Sequence, residues 1–411
     1  MAELKRDGPY AFVVLLSCFC IQAIARGMIN SYGLYYAAFV DRLGWTRSRA
    51  GLVTGIASSF ANLAGPFAGL AHEGVGSRRL AIFGGGCAAA GFAVAACASA
   101  DDAVFAAAHA AIGAGFGCAY ITIGVTLAAY FAKYKRVALA SIGVGAGAGG
   151  ILFPFVYRCT IDTYGLYGSM LLNSGFVLQL VVFGSMIRRP ETASGYQSTK
   201  VSSLGNTGSR RRALASIFLL GRFWLFTLHT CLSSGMTSVD MYTISSLAAS
   251  RGLTDAEAAT LLSLSQVGTT AGRLLVLCSA QWLPNQAAVT LAGALCYATG
   301  AAFVWTMGAS FGSIALFACV GMLGSGVVKG AWITLLAQLF DQRQLSVVLG
   351  LNRGLCAASI ALCLAAAGFL GDAFSIETSY GLTPLLGACS VVISLLIFAL
   401  DRRGPAKAVK C

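Results

Sequence analysis

Twelve apolar runs, each long enough to cross a lipid bilayer, fill this chain and leave only short breaks between them. They lie near 10–38, 48–71, 79–98, 103–130, 137–158 and 166–187, then 223–248, 256–280, 286–307, 311–339, 344–371 and 379–400. A bilayer core about 30 Å thick needs about 20 apolar residues per helix. Strands of a membrane barrel alternate in polarity and run about 10 residues, so these lengths exclude a barrel. Only 10% of the 411 residues are charged, against about 25% in a soluble domain. Water is not the solvent for most of this chain. The first run is longer than a signal-peptide core and has no clear cleavage site, so it predicts a first membrane helix. The expected fold is an all-α membrane protein of twelve transmembrane helices.

Charge sets the expected orientation. With both termini cytoplasmic, nineteen Lys and Arg side chains fall on the inner side and five on the outer side, and four lie within spans. Positive loops stay inside, so the net charge of +13 is a topology signal and predicts no nucleic-acid partner. The expectation is a multi-pass protein of the plasma membrane. Fourteen cysteines are scattered through the spans without a CxxC pair. They read as small apolar fillers, with no metal and no cofactor expected.

One segment breaks the apolar rhythm. "RRPETASGYQSTKVSSLGNTGSRRRALAS", residues 188–216, is rich in Ser, Thr, Gly and Arg, the composition of a flexible linker. Six spans precede it and six follow. That division resembles the major facilitator architecture, in which two six-helix halves rock about a central site. The expected units are residues 1–187, a linker with a juxtamembrane segment over 188–222, and residues 223–411. Within the first half, "GVGAGAGG" (143–150) has a spacing like that of a dinucleotide loop. No soluble strand precedes it, so small residues that let helices approach closely are the expected reading.

Few ionisable residues lie inside the spans: Arg26, Asp240, Arg273, Lys329 and Arg353, with His109 and His229. A charge near the middle of a membrane helix costs roughly 2.5–3.5 kcal/mol on insertion scales, so each marks a functional candidate or a buried pair. Four cations face one acid. At about 1.5 Å per residue, Asp240 is offset along the membrane normal from the three cations of the second half by about 12 Å. This excess predicts a cationic cavity that accepts an anion. Arginine suits a carboxylate because its planar fork donates two parallel hydrogen bonds. His109 and His229 are candidate proton carriers, and Asp240 a candidate proton or charge partner. Tyr32, Tyr35, Tyr36 and Trp332 are candidate lining residues.

Three motifs carry a resemblance to a known family. "DGPYAFVV" (7–14) looks like the acidic-Gly-x-aromatic signature that opens the monocarboxylate transporters of the major facilitator superfamily. "YFAKYKRVALASIGVGAGAGG" (130–150) is similar to their signature entering helix five, with Lys135 in its basic cluster. "GLAHEGVGSRR" (69–79) resembles the superfamily's gating loop between helices two and three, with Glu73 where aspartate is usual and Gly76 and Arg78 retained. The family moves lactate, pyruvate and related monocarboxylates, several of them with a proton. The resemblance implies that the helix-eight arginine is Arg273, that Thr269 stands where the family has a proton-coupling aspartate, and that Asn30 stands in place of a helix-one lysine. Arg353 resembles, shifted by about one turn, a basic residue of distantly related oxalate/formate exchangers.

The expected function is alternating-access transport of small organic anions, with monocarboxylates the expected class. The expected substrate-binding residues are Arg26, Asn30, Tyr32, Arg273, Lys329 and Arg353. With both proton groups replaced, facilitated diffusion or exchange is expected rather than symport. Aromatic amino acids or other amphipathic or neutral cargo form the alternative, and a non-transporting sensor is the alternative of a different class. No nucleophile–base set points to an enzyme. The resemblance also allows a single-span immunoglobulin-like escort as a partner beside the lipid bilayer.

Overall fold

The computed structural model describes residues 7–98, 102–121, 123–131, 133–188, 221–279, 285–307, 310–340 and 342–402, with the backbone alone at some positions, Glu73 and Lys135 among them. The linker expected over 188–222 lies outside the described residues apart from its two ends.

Thirteen helices are described: α1 (Pro9–Asn30), α2 (Gly33–Leu43), α3 (Arg47–Val75), α4 (Ser77–Cys97), α5 (Asp102–Ile121), α6 (Ile123–Tyr130) and α7 (Lys135–Ser185) before the linker. After it come α8 (Gly221–Ser250), α9 (Asp255–Ser279), α10 (Gln286–Met307), α11 (Phe311–Leu339), α12 (Gln342–Ala373) and α13 (Ile376–Arg402). They make twelve passes, because α1 and α2 share one, α5 and α6 share one, and α7 makes two. Eight stretches among the described residues are long and apolar enough to cross a membrane. α8 and α9, rich in Ser and Thr, stand outside those eight.

Two departures from the sequence reading matter for the site. The first run, expected as one helix over 10–38, is two helices that continue to Leu43. At the junction Tyr32 N–H bonds to Ile29 O at 3.2 Å and Leu34 N–H to Ser31 O at 3.1 Å, so the chain tightens into three-residue turns. Gly33 lies there against the Met241 carbonyl of α8, with no room for a Cβ. The second departure is α7, where Gly165 turns the chain at φ 72° and ψ −179° without ending the helix pattern. Only glycine adopts that conformation freely.

Before the linker, α7 packs on α1 and α4, and α5 on α3 and α4. After it, α11 packs on α9 and α10, and α13 on α8 and α10. Two main seams join these sets, α3 against α12 and α7 against α9. The glycines of "GVGAGAGG" serve the α7–α9 seam and the packing of α7 on α1. Gly145 and Gly149 lie against Phe19 and Ala23 of α1, while Gly147 and Gly150 lie against Thr270 and Gln266 of α9. Small residues on two faces let α7 fit between a helix of each half.

Polar stitches gather at the end of the bundle opposite the termini. The Asp372 carboxylate accepts the backbone N–H groups of Arg47 at 2.6 Å and Ser48 at 2.7 Å, capping α3 from the other half. Arg47 also donates to Gly371 O at 2.7 Å, and Arg158 pairs with Asp255 at 2.5 Å across the α7–α9 seam. The remaining ion pairs among the described residues, Arg42–Asp162, Arg49–Asp102, Arg158–Asp162 and Arg251–Glu377, lie at the same end.

Candidate functional site

The cations expected from the sequence come together where the halves meet. Arg26 projects from α1 toward Tyr120 of α5, with Nη1 3.5 Å from the hydroxyl and Cζ 5.1 Å from the ring centroid. Tyr120 in turn donates to Ala61 O at 2.9 Å. Arg353 of α12 lies over the Trp332 ring, 4.1 Å from its centroid, and reaches Asn62 Oδ1 of α3 at 3.5 Å. Asn62 donates to Ser58 O at 2.9 Å. Each of these two arginines is thus held on an aromatic face and aimed by a long polar contact.

Arg273 and Lys329 complete the group. Arg273 on α9 feels the charges of Arg26 and Arg353, and Lys329 on α11 feels those of Arg273, Arg26 and, with opposite sign, Asp240. Arg353 also feels Arg26, which therefore stands within Coulombic reach of all three other cations. Among the described residues none of the four makes an ion pair within 4.0 Å.

Asp240 stands apart from them. Its carboxylate is fully buried and accepts hydrogen bonds from Tyr380 at 2.7 Å and Tyr297 at 3.1 Å. Two hydroxyls thus supply its hydrogen bonds, and the Lys329 ammonium compensates its charge from beyond 4.0 Å. Asn30 bridges the halves differently, donating to Gln266 Oε1 of α9 at 3.1 Å, while Gln266 Nε2 meets the Met241 sulfur at 3.2 Å. Beside this bridge, Tyr242 of α8 bonds to Ser58 of α3.

The family model described as the Major Facilitator Superfamily matches residues 15–362. The chain belongs to the major facilitator superfamily. Among curated members it is 26% identical to human monocarboxylate transporter 11 over 294 residues, which cover 70% of this chain and 60% of that one. It is 26% identical to mouse monocarboxylate transporter 9 over 187 residues, 46% of this chain and 37% of that one. The matches thus span about a third to three-fifths of these relatives. Solved superfamily folds cover nearly the whole chain. A bacterial homologue of the human drug peptide transporters superposes with a TM-score of 0.69 at 15% identity, covering 96% of this chain and 99% of its own. A bacterial homologue of the lysosomal transporter Spinster, inward-facing and unoccupied, gives 0.69 at 14% identity, covering 96% and 97%.

Several expected residues of this superfamily member fall elsewhere. Tyr32 is fully buried among Tyr35, Phe92, His109 and Tyr157 inside the first half. Tyr35 bonds to Ser169 and Asn173, and Tyr36 is buried. His109 is walled in by Phe105, Phe39 and Tyr32, with Nδ1 2.8 Å from Phe105 O. His229 lies between α8 and α13, its Nδ1 3.2 Å from Ser390 Oγ and 3.1 Å from Ser394 Oγ. Between α3 and α4 Gly76 takes φ 82°, and Arg78 at the start of α4 is exposed, while the side chains of Glu73 and Lys135 lie outside those described.

A charge-only inventory misses Tyr120, Asn62, Gln266, Tyr297 and Tyr380. Asn62 and Gln266 carry a readable signal, an amide in the middle of an apolar run. The tyrosines carry none, because tyrosine is equally at home in packing.

Proposed function

We propose that this superfamily member carries small organic anions of the carboxylate class across a membrane by alternating access. The observation that supports this is the set of four cations, on α1, α9, α11 and α12, with no ion-pair partner within 4.0 Å among the described residues. Uncompensated charge in a membrane protein is costly, and binding of an anion relieves that cost. Arg273 is the principal carboxylate partner, Arg26 faces it from the other half, and Lys329 and Arg353 complete the cavity. Monocarboxylates are the class to which the relatives' names point.

The two units are residues 1–187 and 223–411, joined by the linker, and both termini face the cytoplasm at the plasma membrane. Asn30 and Thr269 carry no titratable proton, so flux is facilitated diffusion or exchange and does not follow a pH gradient. Zwitterionic amino acids fit less well. Their ammonium would lie among cations, and the Asp240 carboxylate is already taken by Tyr297 and Tyr380.

Uptake of radiolabelled carboxylates by proteoliposomes holding the purified chain tests the reading. Saturable uptake, absent from empty vesicles and unchanged by an imposed pH gradient, is the expected result. Uptake of aromatic amino acids without uptake of any carboxylate would overturn it.

A further inference from the structure

The charge balance of the cavity narrows the cargo. Arginine keeps its proton at any accessible pH. Arg26, Arg273 and Arg353 therefore contribute three fixed positive charges. Lys329 is balanced at longer range by Asp240, which has no cation within 4.0 Å among the described residues. A cargo with one carboxylate leaves two guanidinium charges uncompensated in a low-dielectric site, and a cargo with two leaves one.

The cations are also divided. Arg26 stands on the first half against Tyr120, and Arg353 on the second against Trp332 and Asn62, with Arg273 within Coulombic reach of both. A cargo charged at two ends can engage an arginine of each half at once. A single carboxylate can bridge two arginines but brings one negative charge to the two arrangements, whereas a second carboxylate gives each its own anion.

We infer that the preferred cargo is a short dicarboxylate, its two carboxylates shared between Arg26 of the first half and Arg273 with Arg353 of the second. This rests on the organic-anion reading above. It also gives Arg26 a role distinct from that of Arg273. Arg26 selects for the second negative charge, and Arg273 receives the first.

Succinate and butyrate share a four-carbon chain and differ by one carboxylate, so they isolate this charge. In proteoliposomes near neutral pH, succinate uptake should exceed butyrate uptake in kcat/KM by about tenfold or more, the scale of one added charge-assisted contact. An inside-positive potential should accelerate succinate uptake. Arg26→Gln should bring the succinate-to-butyrate ratio toward one, and Arg26→Lys should keep it well above one. Thermal unfolding of each purified variant, read with and without succinate, separates lost selectivity from lost fold. Butyrate carried as well as succinate overturns the inference and leaves organic-anion transport standing. A phosphorylated three-carbon acid carried better than succinate overturns the dicarboxylate assignment. Uptake of no carboxylate at all overturns both readings.

Discussion

The Arg26 guanidinium lies over the Tyr120 ring, 5.1 Å from its centroid, while the Tyr120 hydroxyl donates to Ala61 O at 2.9 Å. Tyr120 thus holds a fixed charge of the first half by its ring and is itself oriented by the backbone of α3. Tyr120→Phe keeps the ring and loses the hydroxyl's long contact with Nη1. Its carboxylate KM should rise only a few-fold, corresponding to about 0.5–1 kcal/mol. Tyr120→Ala should raise it further. Initial uptake rates across a concentration series check both.

Among the described residues Arg273 has no ion-pair partner within 4.0 Å. Arg273→Ala should abolish measurable carboxylate uptake. Arg273→Lys keeps the charge but loses the planar fork, and should lose about tenfold or more in kcat/KM. Undiminished uptake by the alanine variant would remove Arg273 from the site.

Arg26 and Asn30 stand one turn apart on α1, yet they face different partners, Tyr120 and Gln266. Arg26→Ala should weaken transport, and adding Asn30→Lys should restore part of it by returning a cation to the same helix face. The lysine also brings a titratable proton, so uptake by the double variant should begin to respond to a pH gradient. A double variant no better than Arg26→Ala would leave Arg26 as a structural charge.

Asp372 caps α3 across the seam with two backbone hydrogen bonds. Asp372→Ala removes a cap worth about 0.5–2 kcal/mol and should shift the resting population toward the state open at that end. Double electron–electron resonance between labels on the α2–α3 and α12–α13 connections, in a cysteine-depleted background, should show a larger long-distance fraction. An unchanged distance distribution counts against a gating role.

Two glycines of one motif should respond differently to the same change. A Cβ at Gly143 would sit 3.9 Å from Arg273 Cδ, an ordinary contact. A Cβ at Gly149 would run into the Ala23 backbone of α1. Gly143→Ala should leave the melting temperature near that of the parent. Gly149→Ala should lower it, through overpacking of about 1–3 kcal/mol. Thermal unfolding in detergent distinguishes them.

The twelve-pass fold was legible because bilayer thickness dictates run length, and the α10 and α11 boundaries expected from the sequence agree with Gln286–Met307 and Phe311–Leu339. The junction at Ser31–Tyr32 was not read from the sequence, because the weak helix formers Asn30, Ser31 and Gly33 of "NSYG" do not by themselves end a helix inside an apolar run. Its tightening goes with the close approach of Gly33 to α8, a tertiary contact. At the site the cations were legible by their cost in lipid, and the glycine run as a packing surface. Their holders were not. Tyr120 and Trp332 look like packing residues until a guanidinium lies over them, and Tyr32, chosen as a lining residue, packs among aromatics instead. His109 and His229 show the same limit, because a histidine's neighbours across a bundle leave no trace in spacing.

The Arg42–Asp162, Arg49–Asp102, Arg158–Asp162, Arg158–Asp255 and Arg251–Glu377 pairs lie at the end opposite the termini, and they are partly open to solvent. Charges in that position are screened over about 8 Å at physiological ionic strength. Salt in the compartment facing that end therefore weakens the contacts that close it. In vesicles bathed asymmetrically, raising salt at the stitched end loosens that closure and leaves the buried cations, which are shielded from bulk ions, almost unaffected. The protein's cycling rate then responds to salt at the stitched end, although salt leaves its cargo unchanged.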